Sequence, residues 1–98
     1  MRAEAYYMAA MPSDPELNRL AWRAHHRGTK EADLLVGGFF DAHHQRWGEQ
    51  ERALFASMLD EQDVDIMAWA HGTATPPERF QGPMIEALRK LDYVRISR

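Results

Sequence analysis

Arg27, Gly28 and Glu31 set a cation, a residue with no side chain and an anion within five positions, in an R-G-x-x-E pattern. Gly28 lets the chain turn and leaves a point where another surface can approach closely. Arg27 and Glu31 flank that point with one charge of each sign. This reads as a contact site, not as a catalytic pocket. The other reactive residue types agree. His25-His26 and His43-His44 are adjacent pairs. Helix neighbours point about 100° apart, so neither pair makes a two-ligand platform. Asp41 and His44 stand at i, i+3 without an evident third ligand. Ser13, Ser57 and Ser97 lie in no nucleophile elbow, and the sequence holds no Walker loop and no G-x-G-x-x-G. No catalytic, metal-binding or cofactor-binding residue is expected, and no tightly bound cofactor.

Length and composition narrow the setting for such a contact site. The 98 residues make one domain. A chain this short buries only about 60–65% of its unfolded surface, so a large internal ligand cavity would be hard to support. Cysteine is absent, which removes disulfides, thiolate metal sites and a thiol nucleophile. The longest apolar run, Leu34–Phe40, is far short of the roughly 20 residues that cross a bilayer, so no direct membrane insertion is expected. Residues 1–10 lack both the apolar stretch of a secretory signal and the Arg-rich length of a mitochondrial transit peptide. The expectation is a bacterial, cytoplasmic protein, or one already processed.

The net charge of −3 speaks against nucleic acid as the main partner. Its distribution is uneven. Residues 19–30 hold Arg19, Arg23, Arg27 and Lys30 and no acid, whereas residues 49–65 hold six acids against Arg52. A bipolar molecule is expected, with a basic first helix and an acidic segment elsewhere.

Five helices must position these residues. Asp14 can cap a first helix, with Pro15 at its first position and Glu16 at the positive end of the dipole. Leu17, Leu20, Ala21 and Ala24 give it an apolar stripe at i, i+3, i+4, i+7. Arg19, Arg23 and Arg27 form a basic stripe beside it, and Gly28 should end the helix at C′. Thr29 can cap a second helix, with Glu31 and Asp33 in its first turn and Ala32, Leu35, Val36 and Phe39 as its stripe. Gly37-Gly38 implies close packing or a weak point, because each glycine costs a helix roughly 1 kcal/mol. This helix should fade near residues 43–47. Glu49–Leu59 reads as a third helix. Asp63 should cap a short fourth one that ends at Gly72. Thr73–Gly82 reads as a loop, and Pro83 opens a fifth helix bearing Met84, Ile85, Leu88 and Leu91. No strand pattern and no repeat is visible. The fold class expected is an all-α small bundle of about five short helices, with residues 1–12 a flexible tail, 13–92 the helical domain and 93–98 a basic tail.

Trp22 falls off the apolar stripe of the first helix. It reads either as a packing residue or as a partly exposed binding anchor beside the basic stripe, since Trp and Arg are enriched at interface hot spots.

Residues 16–92 also resemble a known family. The matching elements are Arg19-Leu20-x-Trp22, the run His26 to Leu35 containing R-G-x-x-E, Phe39-Phe40, and Leu59-Asp60-Glu61-Gln62-Asp63-Val64-Asp65-Ile66 leading into Trp69-Ala70-His71-Gly72. Their order and spacing resemble the flavinylation (FAD assembly) factors of succinate dehydrogenase. The resemblance implies a five-helix bundle that acts as an assembly factor without catalytic residues. The implied partner is the free flavoprotein subunit of succinate dehydrogenase or fumarate reductase, and the implied effect is covalent attachment of FAD to a histidine of that client. The resemblance puts Arg27, Gly28 and Glu31 at the centre of the client contact, with Asp33 and Trp22 as neighbours. Arg23 and Arg19 extend it along the basic stripe. The chain departs from the pattern at His26, where many relatives carry arginine, and at Gly38, where glycine followed by arginine is common. A monomer is expected. The alternatives are a carrier that binds FAD itself and a generic helical regulator of the antitoxin type. The missing phosphate cradle disfavours the first, and a purified protein free of yellow colour would count against it.

Overall fold

Asp14 opens the first helix as its side chain predicts. Its Oδ1 accepts the Glu16 N–H at 2.8 Å, and Pro15 takes the first helical position, where no backbone donor is needed. The computed structural model describes residues 14–94, so the proposed 1–12 tail, Ser13 and residues 95–98 lie outside the described residues. Five α-helices follow in order: α1 (Pro15–His25), α2 (Lys30–His43), α3 (Glu49–Leu59), α4 (Asp63–His71) and α5 (Pro83–Lys90). Short 3-10 turns span His44–Arg46 and Glu78–Phe80, and no strand occurs among the described residues. The fold is an all-α small bundle.

Each helix contributes one apolar face to a single core. Leu17, Leu20, Ala21 and Ala24 come from α1, and Leu35, Val36, Phe39 and Phe40 from α2. Phe55, Met58 and Leu59 of α3 meet Ile66, Trp69 and Ala70 of α4 and Met84, Ile85 and Leu88 of α5. The heaviest packing is α1 on α2 and α4 on α5. Phe39, Phe40, Trp47 and Phe55 form an aromatic cluster with ring centroids 4.8–6.1 Å apart across their close pairs. Offset and edge contacts of this kind add about 0.5–1.5 kcal/mol per pair beyond burial. Outside the core, Arg52 of α3 donates to Asp14 at 2.8 Å and ties α3 to the start of α1. That hydrogen bond from Arg52 holds the Asp14 carboxyl below its ordinary value.

Four expectations change. Tyr93, placed in a basic tail by the sequence, is core: it is buried, packs edge-on against Phe39 at 5.2 Å and donates its hydroxyl to the Leu88 carbonyl at 2.6 Å. Burial pushes its phenol well above its ordinary pKa. Phe80 is likewise buried inside what reads as a loop, 5.4 Å from Trp69. Gly28 is not the C′ residue. The helix stops at His25 with His26 as C-cap, and Gly28 follows two residues later with φ 120°. Asp63 does not cap α4 either. Gln62 holds that position, and Asp63 accepts from Arg27 in the turn between α1 and α2.

Candidate partner-binding site

The link between α1 and α2 is a four-residue turn, His26 to Thr29, stitched from both sides. On the α2 side Thr29 Oγ1 caps the helix by accepting the Ala32 N–H at 3.2 Å. Asp33, one turn into α2, reaches back so that its Oδ1 accepts the backbone N–H groups of Arg27 and of Gly28, the latter at 3.3 Å. On the other side the Arg27 side chain crosses to the start of α4 and the link before it. Its Nε donates to Asp63 Oδ1 at 2.7 Å and its Nη2 to the Glu61 carbonyl at 3.1 Å. The Arg27 side chain keeps only 11% of its surface exposed.

This double anchoring sets what the turn presents. Gly28 lies on the surface, and a Cβ added there would meet nothing within 4 Å. Its φ of 120° belongs to glycine, so the bare backbone is a property of the turn and not only of the residue. Glu31, in the first turn of α2, is exposed beside it. Of the three motif residues, the structure therefore brings Gly28 and Glu31 to the surface and turns Arg27 inward. Asp33 is half-buried and acts as the staple of the turn.

The basic stripe is not the free cationic face that the sequence predicts. Arg23 pairs with Asp60 at 2.6 Å, Arg27 with Asp63, and Arg79 with Glu61 at 2.7 Å. The basic end of α1 and the acid-rich link between α3 and α4 lie against one another, so much of the expected bipolarity is neutralised internally. Arg19 is exposed on the same helix. Trp22 is 61% exposed, which rules out a core role. Its ring stacks on His26 at 4.3 Å and 14°, and His26 Nδ1 donates to the Trp22 carbonyl at 2.7 Å. The stack fixes an apolar plate at the rim of the turn.

One further pair was not singled out by the sequence. His25 Nε2 sits 2.9 Å from Asp41 Oδ1, with its ring laid against Gly37. The hydrogen bond to Asp41 raises the His25 pKa above its ordinary value, against a smaller opposing effect of burial. Among the described residues no group of three His, Asp or Glu side chains could hold a metal ion, and no helix is long and apolar enough to cross a membrane. The turn offers a bare backbone, a carboxylate and an aromatic plate, which is equipment for recognition.

Residues 18–92, the span from α1 through the core tyrosine's neighbour Asp92, match the protein family described as flavinator of succinate dehydrogenase. The chain belongs to this family. A bacterial relative, the FAD assembly factor SdhE of Acetobacter pasteurianus, is 35% identical over 80 residues, covering 82% of this chain and 72% of that protein. The mitochondrial succinate dehydrogenase assembly factor 2 of Saccharomyces cerevisiae is 37% identical over 59 residues, 60% of this chain and 36% of its own length. Its counterpart in Candida glabrata is 33% identical over 81 residues, 80% of this chain and 52% of its own. The chain thus spans only about a third to a half of these two yeast proteins. No solved structure matches it significantly. Membership makes it an assembly factor of succinate dehydrogenase flavinylation.

Within a flavinator the internal wiring acquires a purpose. The R-G-x-x-E run and the Asp60–Asp65 run are separate in sequence and joined in space by Arg27 and Arg23. The signal for this was present in the sequence, as one basic stretch and one acidic stretch. Nothing local said that they were each other's partners.

Proposed function

We propose that this chain binds the free flavoprotein subunit of succinate dehydrogenase, or of fumarate reductase, and promotes its covalent attachment of FAD. The binding surface is centred on Gly28 and Glu31, with Trp22 and Arg19 at its rim and Arg27, Arg23 and Asp33 as the residues that hold it in shape. The observation that carries this reading is the exposed, positive-φ Gly28 held rigid between two sets of internal hydrogen bonds in a member of the flavinator family. A rigid turn with no side chain at its tip fits backbone-to-backbone approach, and preorganisation lowers the entropy lost on binding.

The chemistry then belongs to the client and its flavin: a client histidine nitrogen replaces one hydrogen of the 8α-methyl group, the proton leaves, and the two electrons reduce the flavin ring, which an external electron acceptor reoxidises. The factor contributes orientation by holding client segments so that histidine and flavin are aligned, and alignment alone can be worth about 7–11 kcal/mol of a barrier. The chain carries no flavin of its own and works in the bacterial cytoplasm as a monomer. Affinity capture from cell extract with a tagged chain, followed by mass spectrometry, tests the partner. The flavoprotein subunit should be the main prey and should be lost with Glu31→Ala. Capture of other proteins without any flavoprotein would refute the reading.

A further inference from the structure

Leu34 is out of place in α2. The other large apolar residues of this helix, Leu35, Val36, Phe39 and Phe40, are at most 4% exposed, whereas Leu34 is 42% exposed. It forms the ridge between two open grooves. One, of about 390 Å³, runs between α2 and the segment after α5 and is lined by His25, Asp33, Gly38, Asp41, Asp92 and Tyr93. The other, of about 280 Å³, is lined by Glu31, Leu35, His71, Leu91 and Val94. Among the described residues the grooves together carry four carboxylates, Glu31, Asp33, Asp41 and Asp92, and no lysine or arginine lines either. Asp33 is held by the turn's N–H groups and Asp41 by His25, so these carboxylates are fixed in place. Asp92 is exposed.

We infer that this face of α2, from Glu31 to Asp41, is a second docking strip for the client. It takes an extended segment that sets one apolar side chain against Leu34 and one lysine or arginine into the acidic groove. The inference rests on the flavoprotein subunit being the client. Two observations choose the occupant. Charge complementarity selects a cation, since four carboxylates face two imidazoles of which one, His25, is already paired. Continuity selects the client, since Glu31 and Asp33 belong both to these grooves and to the R-G-x-x-E turn. The ten helical steps from Glu31 to Asp41 rise about 15 Å. Four or five residues of extended chain, at roughly 3.3 Å each, span that distance. Client backbone engaged at Gly28 therefore reaches Leu34 and the acidic groove within one short segment.

The test is a binding titration of the purified chain against the flavoprotein subunit loaded with noncovalent FAD. Leu34→Glu should weaken binding at least about tenfold, as loss of a central apolar anchor does. Asp92→Lys should weaken it several-fold at about 50 mM salt, and the gap should close near 500 mM because exposed charges are screened. Gly28→Arg is the control. If Gly28→Arg abolishes binding while Leu34→Glu and Asp92→Lys bind like the parent, the strip is refuted and the client reading stands. A parent chain that does not bind the subunit refutes both. A Leu34→Glu variant that melts far below the parent would mean that Leu34 packs as part of the fold, and would also overturn the strip.

Discussion

Arg27 and Glu31 stand four residues apart in one motif, yet their side chains do opposite things. Arg27 points inward, with one bond to the first residue of α4 and one to the link before it, and Glu31 points to solvent. Arg27→Ala should therefore act on the fold. It removes hydrogen bonds to a carboxylate and a carbonyl at a mostly buried position, a loss of about 1.5–3 kcal/mol. Glu31→Ala should cost the fold only the helix-start term of about 0.3–1 kcal/mol while weakening client binding more strongly. Urea unfolding compared with titration against the flavoprotein subunit separates the two. Equal stability losses for both variants would contradict the division of roles. The sequence identified both residues as site members. It could not say which faces inward, because the deciding partner, Asp63, lies 36 positions away.

The helices were legible because their signals are local. Asp14, Pro15, Thr29, Gly48, Gly72 and Pro83 mark starts and stops within a few residues of the bonds they make or forgo. What lay beyond local signals is how α1 meets α2. At Gly37 a Cβ would stand 2.7 Å from His25 Cε1, so this helix position is kept open for the His25 ring. Gly37→Ala gains about 1 kcal/mol in helix propensity and should still lose stability, since overpacking against a held ring costs about 1–3 kcal/mol. A thermal melt checks the sign, and a clear rise in melting temperature would show that the ring moves aside freely. The same contact predicts a pH dependence. The His25 pKa is raised in the folded state, so its contribution is fully present below about pH 6.5 and is lost as pH rises through the folded value. His43 acts in the opposite sense, because burial lowers its pKa and stability falls as it is protonated. The comparison that isolates His25 is the parent against Asp41→Asn, with urea midpoints at pH 5.5 and 8.5 (both about one unit or more from the reference value). The parent's advantage should be larger at the lower pH. An equal advantage at both would detach His25 from the α1–α2 junction.

A single core built from all five helices leaves two open surface grooves among the described residues, of about 390 and 280 Å³, and neither is enclosed. The chain should therefore not bind free FAD usefully. Calorimetric titration with FAD at about 150 mM salt should give no measurable heat, and a dissociation constant in the low-micromolar range would make it a flavin carrier. The all-α class and the family were legible from motif order, since the family match covers residues 18–92 of the span that carried the resemblance. Tyr93 and Phe80 were not legible as core, because each sits outside any helical stripe and is recruited by distant aromatic neighbours. Acting together, these parts should change the rate at which the client acquires covalent flavin. The measurement is the in-gel flavin fluorescence of the purified flavoprotein subunit, incubated with FAD and with either the parent chain or Gly28→Arg, whose fold is checked by circular dichroism. The parent should accelerate covalent flavinylation, and the folded Gly28→Arg variant should leave it at the unassisted level. Equal fluorescence with the parent, the variant and no factor at all would contradict the account.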